Sequence, residues 1–236
     1  MKIPLLVTSA VNVSAPFVEI TDPTIRVELT LEAIGEWIRI VPGIDIVICD
    51  GSGYDFEPAV AQAFPDSSIE CLHFRNNKVM VMSRGKGFGE GEIVTHAVSH
   101  SRLIGAYDYF AKCTSKLWVA NFAECLSGFN GVFNGEMAFD DRSIHNYRHC
   151  DTRFYLTGKK FYCETLSMCH TLVQDDRGYH LEHAFGDVLR KTDIRHIVFK
   201  TKPLIYGYSG STGQFFNPEP ERMRSRLLRR IRNLLA

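Results

Sequence analysis

The run SRGKGFGEGEIVTHA, Ser83 to Ala97, sets glycines at 85, 87, 89 and 91 around Lys86 and then passes into an apolar pattern of helical spacing. Backbone N–H groups at a helix start, with a lysine beside them, can hold an anion such as a diphosphate. The spacing is neither GxxxxGKS, GxxxxGKT nor GxGxxG. Glu90 and Glu92 are also ordinary helix-start acids, so a flexible loop leading into a capped helix is the other reading. On the phosphate reading Lys86 and Gly87 meet the anion, and Glu90 caps the helix or contacts sugar hydroxyls.

Three further groups have the residue types for chemistry. Two apolar runs end in small polar residues, Thr8, Ser9 and Asn12 after the first, and Asp50, Gly51, Ser52 and Gly53 after the second. An aspartate in such a loop accepts hydrogen bonds from a base or ribose, or closes a turn on its own backbone. YHLEHAFGDVLRK puts Glu182 and His183 at a helix start behind a turn at Asp175, Asp176 and Gly178. Either side chain could take a proton from an incoming hydroxyl, or simply form a polar surface start. SGSTG, 209 to 213, offers the hydroxyls of Ser209, Ser211 and Thr212 to phosphate or sugar oxygens, or makes a plain turn.

Metal chemistry finds little support. His96 and His100, and again His145 and His149, stand four apart, but neither pair belongs to an HExxH signature or has an evident third ligand. No paired aspartates follow the apolar run KLWVANF, so no carboxylate site for magnesium or manganese on a diphosphate is evident. Charge neutralisation then falls to Lys86, Lys112, Lys116 or Arg153.

The elements that must position these groups follow from periodicity. Ile3 to Val13 reads as a buried strand, Thr24 to Val41 as an amphipathic helix with Ile25, Leu29, Ala33, Trp37 and Ile40 on its apolar side, and 45 to 53 as a second strand. Asp22 and Pro23 start that helix, and Pro42 and Gly43 stop it. Strand, helix, strand is a βαβ unit, which implies a parallel sheet with a right-handed crossover. Ligands bind such sheets at the carboxyl ends of the strands, where the polar groups above fall. Residues 69–76 read as a strand, 90–110 as a long helix and 116–122 as a central strand. SGFNGVFNGE (127–136) reads as a turn, TRFYLTG (152–158) and KFYCETL (160–166) as short strands, 181–191 as a helix and 194–208 as a strand. The fold class is α/β, a mostly parallel Rossmann-like sheet flanked by helices.

Composition limits the function classes. In 236 residues, 27 basic and 27 acidic side chains cancel, so no general field recruits nucleic acid. Seven scattered cysteines, an odd number without a CxxC pair, suit free and mostly buried thiols in a reducing cytoplasm. No run approaches the roughly 20 apolar residues of a bilayer span, and the expectation is a protein neither exported nor membrane-spanning. Residues 219–236 form a separate tail after a 1–218 domain. Its arginines at 222, 224, 226, 229, 230 and 232 interleave with Met223, Leu227, Leu228, Ile231, Leu234 and Leu235. At helical spacing this is an amphipathic helix that lies on an anionic membrane surface or docks on the domain with a solvated basic face.

Taken in order, VTSAVNV with RVELTLEAIGEW, VICDGSG, KGFGEGE, KCTSKLWVAN, YHLEHAF and SGSTG make the chain resemble small bacterial glycosyltransferases of the GT-A type, enzymes of surface-polysaccharide and lipopolysaccharide assembly. It is similar also to a group whose strand reads lysine, any residue, Thr-Gly-Arg and an apolar run; Ser115 and Lys116 stand in the last two places here. The resemblance implies that Thr8, Ser9 and Asp50 hold the nucleotide of a nucleotide-sugar donor. It implies that Glu182 serves as catalytic base toward a saccharide or lipid-linked acceptor, on the cytoplasmic face of the membrane. The metal-binding DxD of such enzymes is missing, with Ala120 and Asn121 near its expected place. Two alternatives stand beside this reading. One is a sugar nucleotidyltransferase, whose glycine-rich lysine loop normally follows the first strand directly; the other is a non-enzymatic binding module recruited to membranes by the tail.

Overall fold

The computed structural model describes residues 1–16, 18–139, 147–218, 221 and 223–235. In chain order the elements are β1 (Leu5–Ser9), α1 (Pro23–Ile40), β2 (Ile46–Asp50), α2 (Glu57–Ala63), β3 (Ile69–His73), α3 (Lys78–Arg84), α4 (Lys86–His100), α5 (Arg102–Gly105) and β4 (Tyr109–Thr114). There follow β5 (Leu117–Val119), α6 (Phe122–Ser127), β6 (Phe133–Phe139), β7 (Tyr147–Gly158), α7 (Lys159–Phe161), α8 (Leu181–Leu189), β8 (Ile205–Tyr208), β9 (Phe215–Phe216) and α9 (Met223–Leu235).

The main sheet has the order β3-β2-β1-β4-β7-β6, and β5, β8 and β9 form a smaller sheet. β1 pairs in parallel with both β2 and β4, and β2 with β3, while β7 runs antiparallel to β4 and β6 antiparallel to β7. Side chains alternate between two cores, as a sheet covered on both faces requires. Leu5, Val7, Ile46 and Ile48 pack on the α1 side with Trp37 and Phe154. Leu6, Val47 and Cys49 pack on the other with Phe88, Val94 and Phe110. The side chain of Asp22 caps α1 by accepting from the N–H groups of Thr24 (2.8 Å) and Ile25 (3.2 Å), as its sequence predicts.

Several elements differ from the sequence reading. The buried stripe of α1 is Arg26, Thr30, Ala33, Ile34 and Trp37, and Ile25 is exposed. The stripe therefore turns one residue away from the apolar pattern and places a guanidinium inside. The expected helix 90–110 ends at His100, because Ser101 starts a new turn by accepting from the Ile104 N–H (3.0 Å); after α5 the chain enters β4. SGFNGVFNGE runs into β6, where Asn134 is buried and donates to the His196 carbonyl (2.6 Å). KFYCETL is helical, α7 continuing into a π turn over Tyr162–Leu166.

The tail is docked on the domain. Arg229, buried, donates to both carboxylate oxygens of Glu136 (2.6 and 2.8 Å) and to Glu221 (2.9 Å), fixing α9 to β6. Its outer side exposes Met223 and Leu227 together with Arg226 and Arg230. The helix starts at Met223; residues 219, 220 and 222 of the expected span lie outside the described residues. A groove of about 400 Å³ under α9 is lined by Glu136, Met137, Phe139 and Leu228. Among the described residues no helix is long and apolar enough to cross a membrane. The seven thiols are free, and only Cys163 is exposed.

Candidate active site

The expected loop Gly85–Gly91 is the first two turns of α4, with Gly85 at the cap in the left-handed region (φ 104°). Its glycines are there for contact. A Cβ on Gly85 would stand 1.9 Å from Asp175 Oδ2, on Gly87 3.0 Å from Leu181 Cβ, and on Gly91 2.1 Å from His170 Cβ. Gly87 and Gly91 thus let the 170–181 segment press against the helix, and Gly87 is buried. Lys86 is the member of this run that reaches outward, its Nζ donating to Ser211 Oγ at 2.6 Å. Two motifs 125 residues apart in sequence therefore meet.

Glu90 does not cap the helix. Its Oε1 takes the ammonium of Lys112 and accepts from Thr114 Oγ1 (3.0 Å). Lys112 is 1% exposed on β4 and also donates to Thr114 Oγ1 (2.9 Å) and the Thr152 carbonyl (2.7 Å). The two charges neutralise each other inside the fold. Arg153 is paired with Asp151, whose oxygens each accept from its Nε at 3.0 Å, and lies over the ring of Phe216, 4.6 Å from its centre. Because β7 is antiparallel to β4 with Cys113 opposite Phe154, residues 151–153 stand at the carboxyl end of the parallel strands.

Glu182, in the first turn of α8, accepts from Thr152 Oγ1 at 2.8 Å through Oε1. Its second oxygen has no protein donor among the described residues. Its field also holds the Arg153 guanidinium up, alongside the larger pull of Asp151 and against burial. His183 has another task. Its Nδ1 accepts from the His180 N–H (3.2 Å), completing the cap of α8. Burial, with His149 and His180 nearby, pushes its pKa down.

Asp50 is fully buried and accepts from the N–H of Val11 (2.9 Å), from the N–H and Oγ of Ser52 (2.7 and 2.6 Å) and from the N–H of Tyr54 (3.1 Å). It ties the loops after β1 and β2 together, three donors falling on Oδ1 and one on Oδ2. Thr8 and Ser9, at the end of β1, are both buried, and Thr8 Oγ1 has no hydrogen-bond partner.

Beside them lies a pair of buried cations, one of which the sequence reading missed. Lys116 follows β4 with a positive φ of 70°, is 3% exposed, and donates from Nζ to Ser115 Oγ at 2.8 Å. Burial and the neighbouring Arg26 bring its pKa down to about 7, while Asp50 and Glu90 pull the other way. Arg26, 7% exposed on α1, donates from Nε to the Ala10 carbonyl (2.8 Å) and from Nη1 to the Ile20 carbonyl (2.7 Å), and burial lowers its pKa. An arginine within the helical stripe was the available signal, hidden because Ile25 and Leu29 offered a more apolar face one residue away. The Ser209–Gly213 turn covers both cations: a Cβ on Gly210 would lie 3.1 Å from Lys116 Cε and 3.3 Å from Arg26 Nη1. That turn is held by the N–H groups of Glu19 and Ile20 on the carbonyls of Ser211 and Gly210. Ser209 Oγ accepts from the Thr212 N–H (3.1 Å), and Thr212 is exposed.

A divalent ion on a diphosphate wants several carboxylate or carbonyl oxygens. The carboxyl end of β4 offers Thr114, Ser115 and Lys116, with Arg26 adjacent; Asp50 and Glu90 are already satisfied. Asn121 is tied to Lys202 and Leu204. Among the described residues no group of three or more His, Cys, Asp or Glu could hold an ion. His96 and His100 stack on each other, and His145 lies outside the described residues. The residues present do not fit a metal here.

No family model and no curated protein sequence matches this chain. Among solved structures it is similar to the inositol-1-phosphate CTP transferase of T. maritima, at 13% identity and a TM-score of 0.50, over 98% of this chain and 96% of that one. It is similar to an active-site mutant of LgtC at 10% identity and a TM-score of 0.48, over 79% of this chain and 70% of that one. With WbbM, described as a bifunctional glycosyltransferase, the figures are 13% and 0.45 over 72% of this chain, which spans about a third (34%) of WbbM. The likeness to the CTP transferase shows the fold: a single α/β domain with a mostly parallel six-stranded sheet flanked by helices, GT-A-like in class.

Proposed function

We propose that the chain is a glycosyltransferase that moves a sugar from a nucleotide-sugar donor to a saccharide or lipid-linked acceptor in cell-surface glycan assembly, of the lipopolysaccharide kind. One observation carries the reading: Glu182 is held by Thr152 through one oxygen, with no donor to the other among the described residues, while Lys116 and Arg26 lie buried after β4, under the turn that Lys86 contacts. A fixed carboxylate, together with cations that have no ion pair among the described residues, suits a reaction that removes a proton from one oxygen and releases another as an anion.

In that reaction the bond from the sugar's anomeric carbon to the diphosphate breaks through an oxocarbenium-like transition state. The acceptor oxygen bonds to that carbon, its proton passes to Glu182, and the diphosphate leaves toward the cations. A single base acting directly gives inversion. Replacing Glu182 by Gln keeps the Thr152 hydrogen bond and removes the base. Turnover should then fall by roughly 10²–10⁴-fold with donor affinity by calorimetry unchanged; full activity would take the residue out of the mechanism.

The likeness to a CTP transferase supports a second reading, a sugar nucleotidyltransferase. The segment between β1 and α1, where such enzymes carry their glycine-rich lysine loop, has neither glycine nor lysine. Thermal shifts with UDP-, GDP-, CMP- and dTDP-sugars, against CTP and the other nucleoside triphosphates, separate the two. The exposed Met223, Leu227, Arg226 and Arg230 of α9 support attachment to an anionic membrane surface, which would place the enzyme beside a lipid-linked acceptor.

A further inference from the structure

We infer that Lys116 and Arg26 form a built-in diphosphate cradle at the carboxyl end of β4, taking the donor's leaving group without a divalent ion. The inference deepens the transferase reading and rests on it for the identity of the ligand.

Four independent observations meet at this spot. First, two like charges are buried side by side, and among the described residues neither has a carboxylate within ion-pair distance. Buried cations are normally paired, since removal from water is costly without an opposing charge. The charged groups that face them, Asp50 from β2 and Glu90 from α4, are committed elsewhere, to four donors and to Lys112 respectively. Among the described residues only the fields of Asp50 and Glu90 oppose these charges, without an ion pair, and an anion from outside would complete the balance. Second, Thr8 Oγ1, on the neighbouring strand and in register with Thr114, is buried with no partner among the described residues, which leaves a hydroxyl for an oxygen ligand at the same strand ends. Third, Lys116 holds a left-handed backbone (φ 70°) that a long side chain adopts at a cost. Glycine would relieve that strain, so what the position supplies is the ammonium. Fourth, the turn above lies directly on the pair: a Cβ at 210 would crowd both cations, and Lys86 stands at its rim on Ser211.

A ligand that repays two buried positive charges carries at least two negative ones in a compact group with several acceptor oxygens. A diphosphate meets that description. Arg26 has Nη2 left to donate, Lys116 has ammonium hydrogens beyond the one given to Ser115, and Thr8 adds a hydroxyl.

The test is calorimetric titration of the full chain with inorganic pyrophosphate in EDTA. The wild type should bind, and replacing EDTA by magnesium should not tighten binding. Lys116→Met should weaken it at least about tenfold, the loss of one charge-assisted hydrogen bond, whereas Lys116→Arg should stay within a few-fold. No binding at millimolar pyrophosphate, a requirement for magnesium, or a Lys116→Met protein as tight as wild type would each overturn the cradle. The magnesium comparison uses the unaltered protein, so it decides even where a variant fails to fold. Pyrophosphate bound through Lys116 with no response to any nucleotide-sugar would remove the transferase reading and leave the cradle standing. Nucleotide-sugar binding that demands magnesium and ignores Lys116 would do the reverse.

Discussion

Replacing Lys112 by Met keeps the aliphatic stem and removes only the ammonium, and it separates two roles for this lysine. In the structure Nζ is buried and serves Glu90, Thr114 (2.9 Å) and the Thr152 carbonyl (2.7 Å). Without it, the Glu90 carboxylate, 24% exposed, keeps only the Thr114 hydroxyl. Breaking a buried pair by deleting one partner costs about 3–5 kcal/mol, because the other charge stays behind. For a chain of this size each kcal/mol moves Tm by roughly 2–4 °C, so the variant should melt about 6–20 °C lower. Adding Glu90→Gln to the same background removes the stranded charge. The double variant should recover to within about 1–2 kcal/mol of wild type, a strong coupling in a double-mutant cycle. Urea unfolding followed by the fluorescence of the buried Trp37 gives all four corners. A Lys112→Met protein that loses under about 1 kcal/mol while donor binding collapses would refute the buried pair and return Lys112 to the ligand.

Two other outcomes follow from the same charges. Lys116 sits near pKa 7 in the fold against 10.5 for a free lysine, so between those values the unfolded chain binds the extra proton and stability rises with pH. Below about pH 7 both states are protonated and the burden of the buried cation is fully present. The urea midpoint of wild type relative to Lys116→Met should therefore climb from pH 7 to 9, by up to about 1.4 kcal/mol per unit; a flat difference would mean that Lys116 stays charged throughout. On α9, Arg226→Glu with Arg230→Glu leaves the buried Arg229 anchor intact. It should abolish sedimentation with vesicles containing anionic lipid without changing Tm, and undiminished sedimentation would end the membrane reading.

The opening strand–helix–strand unit was legible because its elements obey local rules. β1 and β2 are continuous apolar runs, and α1 has an aspartate cap followed by proline. The middle was not. β4 carries Lys112 at its buried centre, which no strand pattern anticipates, and the charge is tolerable only because Glu90 arrives from 22 residues away. β6 hides behind asparagine and glycine: Asn134 is satisfied by the 196–198 backbone, and Gly135 makes room for Cys150. The aromatic and β-branched KFYCETL favours a strand by propensity, yet packing of Tyr162 and Leu166 into the core makes it helical. At the site, Glu182, Lys86 and the SGSTG turn were legible as separate pieces, each at an element boundary. The pairing that disposes of Lys112 and Glu90, and the approach of Arg26 to Lys116, depend on contacts between distant segments and leave no mark in local spacing.

The glycines of α4 also bear on the order in which the site assembles. Each glycine inside a helix costs about 1 kcal/mol relative to alanine, and Gly87, Gly89 and Gly91 all fall within two turns. That half of the helix has little tendency to form alone and is held by what presses into the gaps: Leu181, His170 and Asn76. The helix start bearing Lys86 and Glu90 and the segment bearing Glu182 are therefore ordered by a single docking event. On the proposed reading, the residues assigned to the leaving group and to the base come into place together.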